Sequence, residues 1–332
     1  QTAIDSMGFE SATPVQQRTI PAMLSGIDLI VQAPTGTGKT CAFGIPIAQI
    51  ADARNRSAQA LVLSPTRELA IQTSRVLGRL TQSKKGVRIA TLYGGERIER
   101  QFSVLRARPQ IIVATPGRLL DHMRRGSVHL DAVRTVVLDE ADRMLDMGFQ
   151  DDLNDILRAV PAERQTVLFS ATIPAGVREI AKNYQRAAKH IAVRQDAMTV
   201  RSVRQFYTTV GNGAKNGALL ALLKDNAQAL CLVFVNTKRM ADALCGELQR
   251  QNLRADALHG DIQQQKRERI MNAFRAGRLD VLVATDVAAR GIDVRNIDLV
   301  VNYDLPLDSD CYVHRIGRTS RADRLGTAHT LI

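Results

Sequence analysis

Short runs of aliphatic and β-branched residues recur along the first half of the chain, at 28–32, 60–64, 88–92, 110–114, 135–139 and 166–170. Most are nearly continuous in hydrophobicity rather than alternating, the mark of strands covered on both faces in a parallel sheet. Helix-period stretches lie between several of them, including Glu68 to Leu80 and Asp151 to Ala159. Strand, helix, strand repeated in this way predicts an open α/β sheet. The rhythm breaks where the sequence turns polar between Arg194 and Val203, then restarts with 229–235, 255–258, 280–284 and 297–301. The pattern predicts two similar α/β domains in tandem, each a mostly parallel sheet flanked by helices, over 1–195 and 204–332, with 196–203 as a linker. A cleft between two such domains is a natural ligand site, and a ligand there could draw them together.

Composition supports two cores. The 332 residues are 45% hydrophobic, enough for each half to bury its own interior. Trp is absent and aromatics make up only 4%, so the cores must be aliphatic. No apolar run reaches the ~18 residues that a membrane-spanning helix needs, and no membrane partner is expected. The chain opens on Gln1 rather than Met and closes at Ile332 in a strand-like pattern, so extensions at both ends are expected. Cys41, Cys231, Cys245 and Cys311 are scattered with no CxxC pair, and the six histidines show no metal-ligand spacing. Reduced thiols in a cytoplasmic setting are expected. The formal net charge is +12, shared by both halves and mostly arginine. Such an excess favours a polyanionic partner such as nucleic acid over a merely soluble basic surface.

Ligands of open α/β sheets gather at the carboxyl ends of the strands, and candidate chemistry sits there. Ala33-Pro34-Thr35-Gly36-Thr37-Gly38-Lys39-Thr40 follows the first strand and opens a helix. Gly36 and Gly38 let the backbone wrap closely round a phosphate with N–H groups inward. Lys39 can reach the β- and γ-phosphates of ATP, and the Thr40 hydroxyl can take Mg2+. Ala33 stands where a P-loop usually has Gly, so the motif competes with an ordinary Gly-rich turn. Asp139-Glu140 closes another apolar strand. Two adjacent acids repel unless a cation offsets them. Asp139 can hold magnesium through water, and Glu140 can orient and deprotonate an attacking water. The competing reading is an acid pair favoured by a helix N-terminus. Thr13-Pro14-Val15-Gln16 reads as a capping box with Pro at the first helical position.

These residues resemble the DEAD-box ATP-dependent RNA helicases, in a bacterial-type member, with the name spelled at Asp139-Glu140-Ala141-Asp142. The resemblance runs from Gly8-Phe9 to Gly326. It includes 65–70 (Pro-Thr-Arg-Glu-Leu-Ala), Gly94-Gly95, 115–118 (Thr-Pro-Gly-Arg) and 170–172 (Ser-Ala-Thr). In the second half it includes 233–237, His259-Gly260-Asp261 with Gln264 and Arg267, 284–293 and 314–319. It implies two RecA-like domains, RNA-stimulated ATP hydrolysis and local opening of short RNA duplexes. By position it implies that Gln16 reads the adenine edge, with Phe9 packing nearby and Thr35, Gly36, Thr37 and Gly38 round the phosphates. Asp293 would bind the ribose, and Arg318 and Arg321 would act as arginine fingers. Asp142, Ser170, Thr172 and His314 would couple hydrolysis to RNA. RNA would meet Pro65, Thr66, Arg67, Gly94, Gly95, Thr115, Gly117 and Arg118 on the first domain, and Gly260, Gln264, Arg267, Thr285 and Arg290 on the second. Small, hydroxyl and arginine side chains at strand ends suit the sugar-phosphate backbone, so base-sequence specificity should be weak, while 2′-OH contacts separate RNA from DNA. A monomer is expected; protein partners are not indicated.

Two other readings compete. A DNA translocase could use the same paired domains, but the Gln16 motif and Ser170-Ala171-Thr172 argue against it. A non-catalytic, ATP-gated RNA clamp is disfavoured by intact Lys39 and Glu140. One departure keeps it alive: the chain reads Ser320-Arg321-Ala322-Asp323-Arg324 where the family usually has Gly at the first and fourth of these positions. Ser320 lacks the freedom of Gly at positive φ, and Asp323 puts a carboxylate among Arg318, Arg321 and Arg324. A variant carrying Ser320→Gly with Asp323→Gly should therefore hydrolyse ATP several-fold faster than this chain; equal turnover in steady-state phosphate release would remove the effect assigned to both residues.

Overall fold

Parallel strands with every face covered account for the apolar runs. The structure is a computed structural model and describes residues 2–34, 36–193, 203–211, 213–289, 297–306, 309–319 and 326–332. The chain divides into two units, Gln1–Arg194 and Gln195–Ile332. Most of the expected linker lies outside the described residues. Val203, expected as its last residue, instead opens a strand of the second unit.

In the first unit β1 (Leu29–Gln32), β2 (Ala60–Leu63), β3 (Ile89–Leu92), β4 (Ile111–Ala114), β5 (Thr135–Leu138), β6 (Gln165–Ser170) and β7 (Lys189–Ala192) form one sheet in the order β3-β4-β2-β5-β6-β1-β7. Every pairing in it is parallel. Consecutive residues of the inner strands feed opposite cores: Leu61 and Leu63 pack with Val136 and Leu138 on one face, while Ala60 and Val62 pack with Ile111 and Val137 on the other. That is why these strands read as continuous rather than alternating. Edge strand β3 is half-covered and alternates. Edge strand β7 buries only Ile191, so its short Lys-His-Ile-Ala pattern carries no apolar run.

Helices α1 (Thr2–Asp5), α2 (Pro14–Leu24), α3 (Lys39–Ile50), α4 (Arg67–Thr81), α5 (Ile98–Arg106), α6 (Pro116–Arg124), α7 (Ala141–Asp146), α8 (Gln150–Ala159) and α9 (Ala175–Tyr184) connect or flank these strands. The capping box predicted at the start of α2 is in place, with Gln16 Oε1 accepting the Thr13 N–H at 3.0 Å. Thr66 caps α4, accepting from the Leu69 N–H at 3.4 Å.

The second unit holds β8 (Val203–Thr208), β9 (Cys231–Val235), β10 (Ala255–Leu258), β11 (Val281–Thr285), β12 (Leu299–Asn302) and β13 (Gly326–Leu331), in the order β10-β11-β9-β12-β13-β8 and again parallel. Its described helices are α10 (Lys215–Asp225), α11 (Lys238–Arg250), α12 (Gln264–Arg275), α13 (Asp286–Ala289) and α14 (Ser309–Ile316). Strands β8 and β13 were not evident from hydrophobicity. β8 exposes all but Val203, and β13 mixes small and hydroxyl residues.

One buried cation organises the carboxyl edge of this sheet. Arg315 on α14 is 1% exposed. Its Nε and Nη2 donate to the two carboxylate oxygens of Asp286 at 2.7 and 2.6 Å. The remaining N–H groups reach Asn236 Oδ1 at 3.0 Å, the Asp304 carbonyl at 2.7 Å and Asn302 Oδ1 at 3.3 Å. The guanidinium also lies 5.1 Å over the Phe234 ring. All five donors of the fork are thus used, and the ends of β9, β11 and β12 are tied to α14. Removing one partner of such a buried pair strands the other. Arg315→Met should lower the stability of the second unit by about 3 kcal/mol, read as a shift in its urea midpoint with the first unit's transition unmoved.

Candidate nucleotide and RNA site

Strand order sorts the candidate residues into two groups. The nucleotide candidates lie at the carboxyl ends of β1, β5 and β6, which are neighbours in the sheet. The RNA candidates of the first unit lie at the ends of β2, β3 and β4, also neighbours. The second unit repeats the division, with Gly260 following β10, Thr285 ending β11, and Arg318 following α14 between β12 and β13.

The phosphate loop joins β1 to α3. Gly38 takes a left-handed conformation (φ 90°) as N-cap of α3, and a Cβ there would sit 2.5 Å from Gln16 Nε2. Both facts require glycine. Gln16 is buried and donates from Nε2 to the Gly38 carbonyl at 3.2 Å, so α2 is pinned onto the loop. Having spent one N–H here and one lone pair on Thr13, its amide keeps one donor and one acceptor. Lys39 is buried, with Nζ donating to the Ala33 carbonyl at 3.0 Å. The Thr37 hydroxyl donates to the Pro34 carbonyl at 2.8 Å. Phe9, expected beside the adenine, is 42% exposed. Thr35 lies outside the described residues.

The acid pair ends β5. Asp139 is buried, and burial pushes its carboxyl up to about 7, with Lys39 opposing the shift and Glu140 adding to it. Its Oδ1 is buried and has no donor among the described residues. A bare buried carboxylate oxygen, with the Thr40 hydroxyl at the start of α3, forms a hard-oxygen donor set that suits magnesium. Among the described residues there is no group of three or more His, Cys, Asp or Glu that could hold a metal ion. Glu140 is non-glycine at positive φ (54°), a strained conformation of the kind found at functional positions. It is ion-paired with Arg143, both side chains being nearly covered.

Asp142 joins this end of β5 to the end of β6. Its Oδ2 accepts from the Thr172 N–H at 2.8 Å, the Thr172 hydroxyl at 2.9 Å and the Ala171 N–H at 3.1 Å. Its own N–H donates to Ser170 Oγ at 3.1 Å. Asp142, Ser170 and Thr172 therefore form one connected cluster beside the acid pair.

On the RNA side, the Arg67 guanidinium lies over Gly95. A Cβ at Gly95 (φ 84°) would fall 1.9 Å from Arg67 Nη1. Arg118, expected at the RNA backbone, bonds within its own unit. Nη1 and Nη2 each donate to the Glu96 carbonyl at 3.2 Å, and Nη1 also to Gln101 Oε1 at 3.2 Å. In the second unit Arg267 Nη2 donates to the Ala288 carbonyl at 2.7 Å, linking α12 to α13. His314 and Arg318 are half-buried at the end of α14. The structure describes α12 but not the Gln264 side chain, and Arg290, Asp293, Ser320, Arg321 and Asp323 lie outside the described residues.

Sequence reasoning missed Arg143, Asn236, Asp286 and Arg315, although three of them stand inside motifs it recognised. A motif gives the order of residue types. It does not separate an arginine that faces a ligand from one spent on its own fold.

The buried acid has a measurable consequence without metal. Its folded-state value lies above the ordinary value of 3.8, so it stabilises the fold below that value and loses the contribution as pH rises through about 7. In EDTA, Asp139→Asn should raise the melting temperature by about 5 °C at pH 8 and by progressively less toward pH 4. The same substitution should weaken magnesium-dependent nucleotide binding.

The DEAD/DEAH box helicase family model matches residues 13–180, and the helicase conserved C-terminal domain model matches residues 214–323. The chain is 48% identical over 330 residues to the DEAD-box ATP-dependent RNA helicase CshA of Geobacillus kaustophilus, covering 99% of this chain and 70% of that protein. It is also 48% identical to CshA of Bacillus subtilis, covering 67% of it. Among solved structures, S. cerevisiae Dbp5 bound to RNA and ADP BeF3 matches with TM-score 0.88 at 35% identity, over 100% of this chain and 86% of that one. Mss116p bound to ssRNA and AMP-PNP matches with TM-score 0.88 at 30% identity, over 99% and 71%. Two parallel sheets with their chemistry sorted along the carboxyl edge, and both family models matched in order, place this chain in the DEAD-box helicase family.

Proposed function

We propose that the chain is an ATP-dependent RNA helicase that clamps RNA when ATP draws its two units together, opens short duplexes locally and largely without regard to sequence, and releases RNA after hydrolysis. Family membership makes it an ATP-hydrolysing enzyme. The observation that carries the mechanistic reading is Asp139 Oδ1, a buried carboxylate oxygen without a donor among the described residues, in the field of the P-loop lysine.

In this reading Lys39 leaves the Ala33 carbonyl for the β- and γ-phosphates, and loop N–H groups cradle them. Magnesium, held through Asp139 and the Thr40 hydroxyl, would neutralise phosphate charge. Glu140 orients the attacking water and takes its proton once Arg143 yields the carboxylate. Gln16 offers adenine its remaining donor and acceptor, the pairing a glutamine amide makes with N7 and N6 of that base. Arg318, joined by Arg321, supplies positive charge to the transition state from the second unit. Asp142, Ser170 and Thr172 pass the state of the acid pair along the strand ends. Arg67 and the backbone at Gly94-Gly95 and Thr115–Gly117 meet the sugar-phosphate chain, joined on the second unit by Gly260, Gln264, Arg267, Thr285 and Arg290. Free thiols at Cys41, Cys231, Cys245 and Cys311 support a reducing, cytoplasmic setting; among the described residues no helix is long and apolar enough to cross a membrane.

ATP turnover with and without single-stranded RNA tests this reading. Turnover should rise with RNA and not with DNA. Glu140→Gln should cut it at least ~100-fold. Arg318→Ala should leave ATP binding in place and lower RNA-stimulated turnover about a thousandfold. Undiminished stimulation in Arg318→Ala would end the arginine-finger assignment.

A further inference from the structure

Gln101 has no part in the chemistry above, yet it is 1% exposed and fully committed. Its Nε2 donates to the Tyr93 carbonyl at 2.9 Å and to Glu96 Oε2 at 3.2 Å. Both partners only accept, so the orientation of the amide is fixed and Oε1 must face donors. Oε1 receives Arg118 Nη1 at 3.2 Å and His122 Nε2 at 3.0 Å. The His122 proton is thereby placed on Nε2, and Nδ1 lies 2.8 Å from Ser127 Oγ. The ring is fully buried, with Phe102 edge-on at 5.5 Å. Burial, reinforced by the nearby Arg118 charge, holds His122 below its ordinary value, which keeps the ring in this neutral form.

The four bonds of one amide join α5 to two other pieces of chain, the 93–96 loop and α6. Tyr93 and Glu96 bracket Gly94-Gly95, Arg118 belongs to the turn that opens α6, and His122 stands one helical turn further on. Arg118 closes the ring by donating to the Glu96 carbonyl. We infer that Gln101, seated on His122, is a positioning residue for RNA: it fixes the Gly94-Gly95 loop and the Thr115–Arg118 turn in one register, so that successive phosphates of a strand meet backbone already in place. Arg118 then serves RNA chiefly by holding the loop. The inference rests on the reading that RNA runs over these strand ends.

The physical ground is preorganisation. A glycine pair is the most flexible dipeptide in a chain, and ordering it on binding would cost affinity. Four bonds to a buried amide meet that cost during folding instead. The amide touches neither phosphate loop nor acid pair, so its loss should act on RNA and spare ATP.

Gln101→Met keeps the volume and removes all four bonds. His122→Leu removes one donor, and His122→Gln restores a donor near the Nε2 position. RNA-stimulated ATPase gives KM for single-stranded RNA and kcat at saturation, and a fluorescent ATP analogue gives nucleotide affinity without RNA. For Gln101→Met and His122→Leu the RNA KM should rise about tenfold, with kcat and nucleotide affinity within about twofold of the parent chain. His122→Gln should stay near the parent chain. An unchanged RNA KM in folded Gln101→Met overturns the inference, as does a parallel fall of kcat and nucleotide affinity. If Gln101→Met does not fold, the two His122 variants decide, and equal RNA KM values for them overturn it. A parent chain whose ATPase ignores RNA defeats the helicase reading and this inference together, whereas a stimulated parent with indifferent variants defeats the inference alone.

Discussion

The carboxylate of Asp142 is the joint on which the first unit's chemistry depends. One oxygen takes three bonds from Ala171 and Thr172, and the residue's own N–H grips Ser170. Such a cluster is rigid because each member is satisfied only in one geometry. It fixes where β5 ends relative to β6, and so where Asp139 and Glu140 point. The strain at Glu140 is tolerable only because the helix that follows is anchored in this way.

The parallel topology does the remaining sorting. All strands of a unit deliver their carboxyl ends to one edge, and strand order decides which loops become neighbours. Strand β5 borders β2 on one side and β6 on the other. The acid pair therefore stands at the boundary between loops suited to phosphates of a nucleotide and loops suited to phosphates of a polymer. In the proposed reading, two kinds of polyphosphate recognition share one edge without sharing residues.

Much of this was legible in the sequence. Continuous apolar runs gave the inner strands because both faces are buried, and the P-loop and acid pair were found where strand ends were expected. The edge strands β7 and β8 were not legible, since a strand exposed on most of its surface carries no apolar signal. Side-chain direction was not legible either. Arg118 read as a contact to the RNA backbone and Arg315 passed unnoticed inside a recognised motif, whereas the fold spends the five donors of Arg315 on the ends of three strands and sets Arg118 on a loop carbonyl. Gln101 and His122 look like ordinary helix positions until the distance between their helices is known. Long-range hydrogen bonds leave no periodicity, which is why local pattern recovers the strands and misses the struts.

Gln16 holds α2 to the phosphate loop with half of its amide, and in the proposed reading the other half is left for a base. A purine that offered two acceptors along this edge, as guanine does with N7 and O6, would set a lone pair against the remaining lone pair of the glutamine. The mismatch would fall on the side chain that also anchors Gly38, so a wrong base would loosen the grip on phosphate as well as its own. Choice of fuel would then be written into the packing of a helix against a loop.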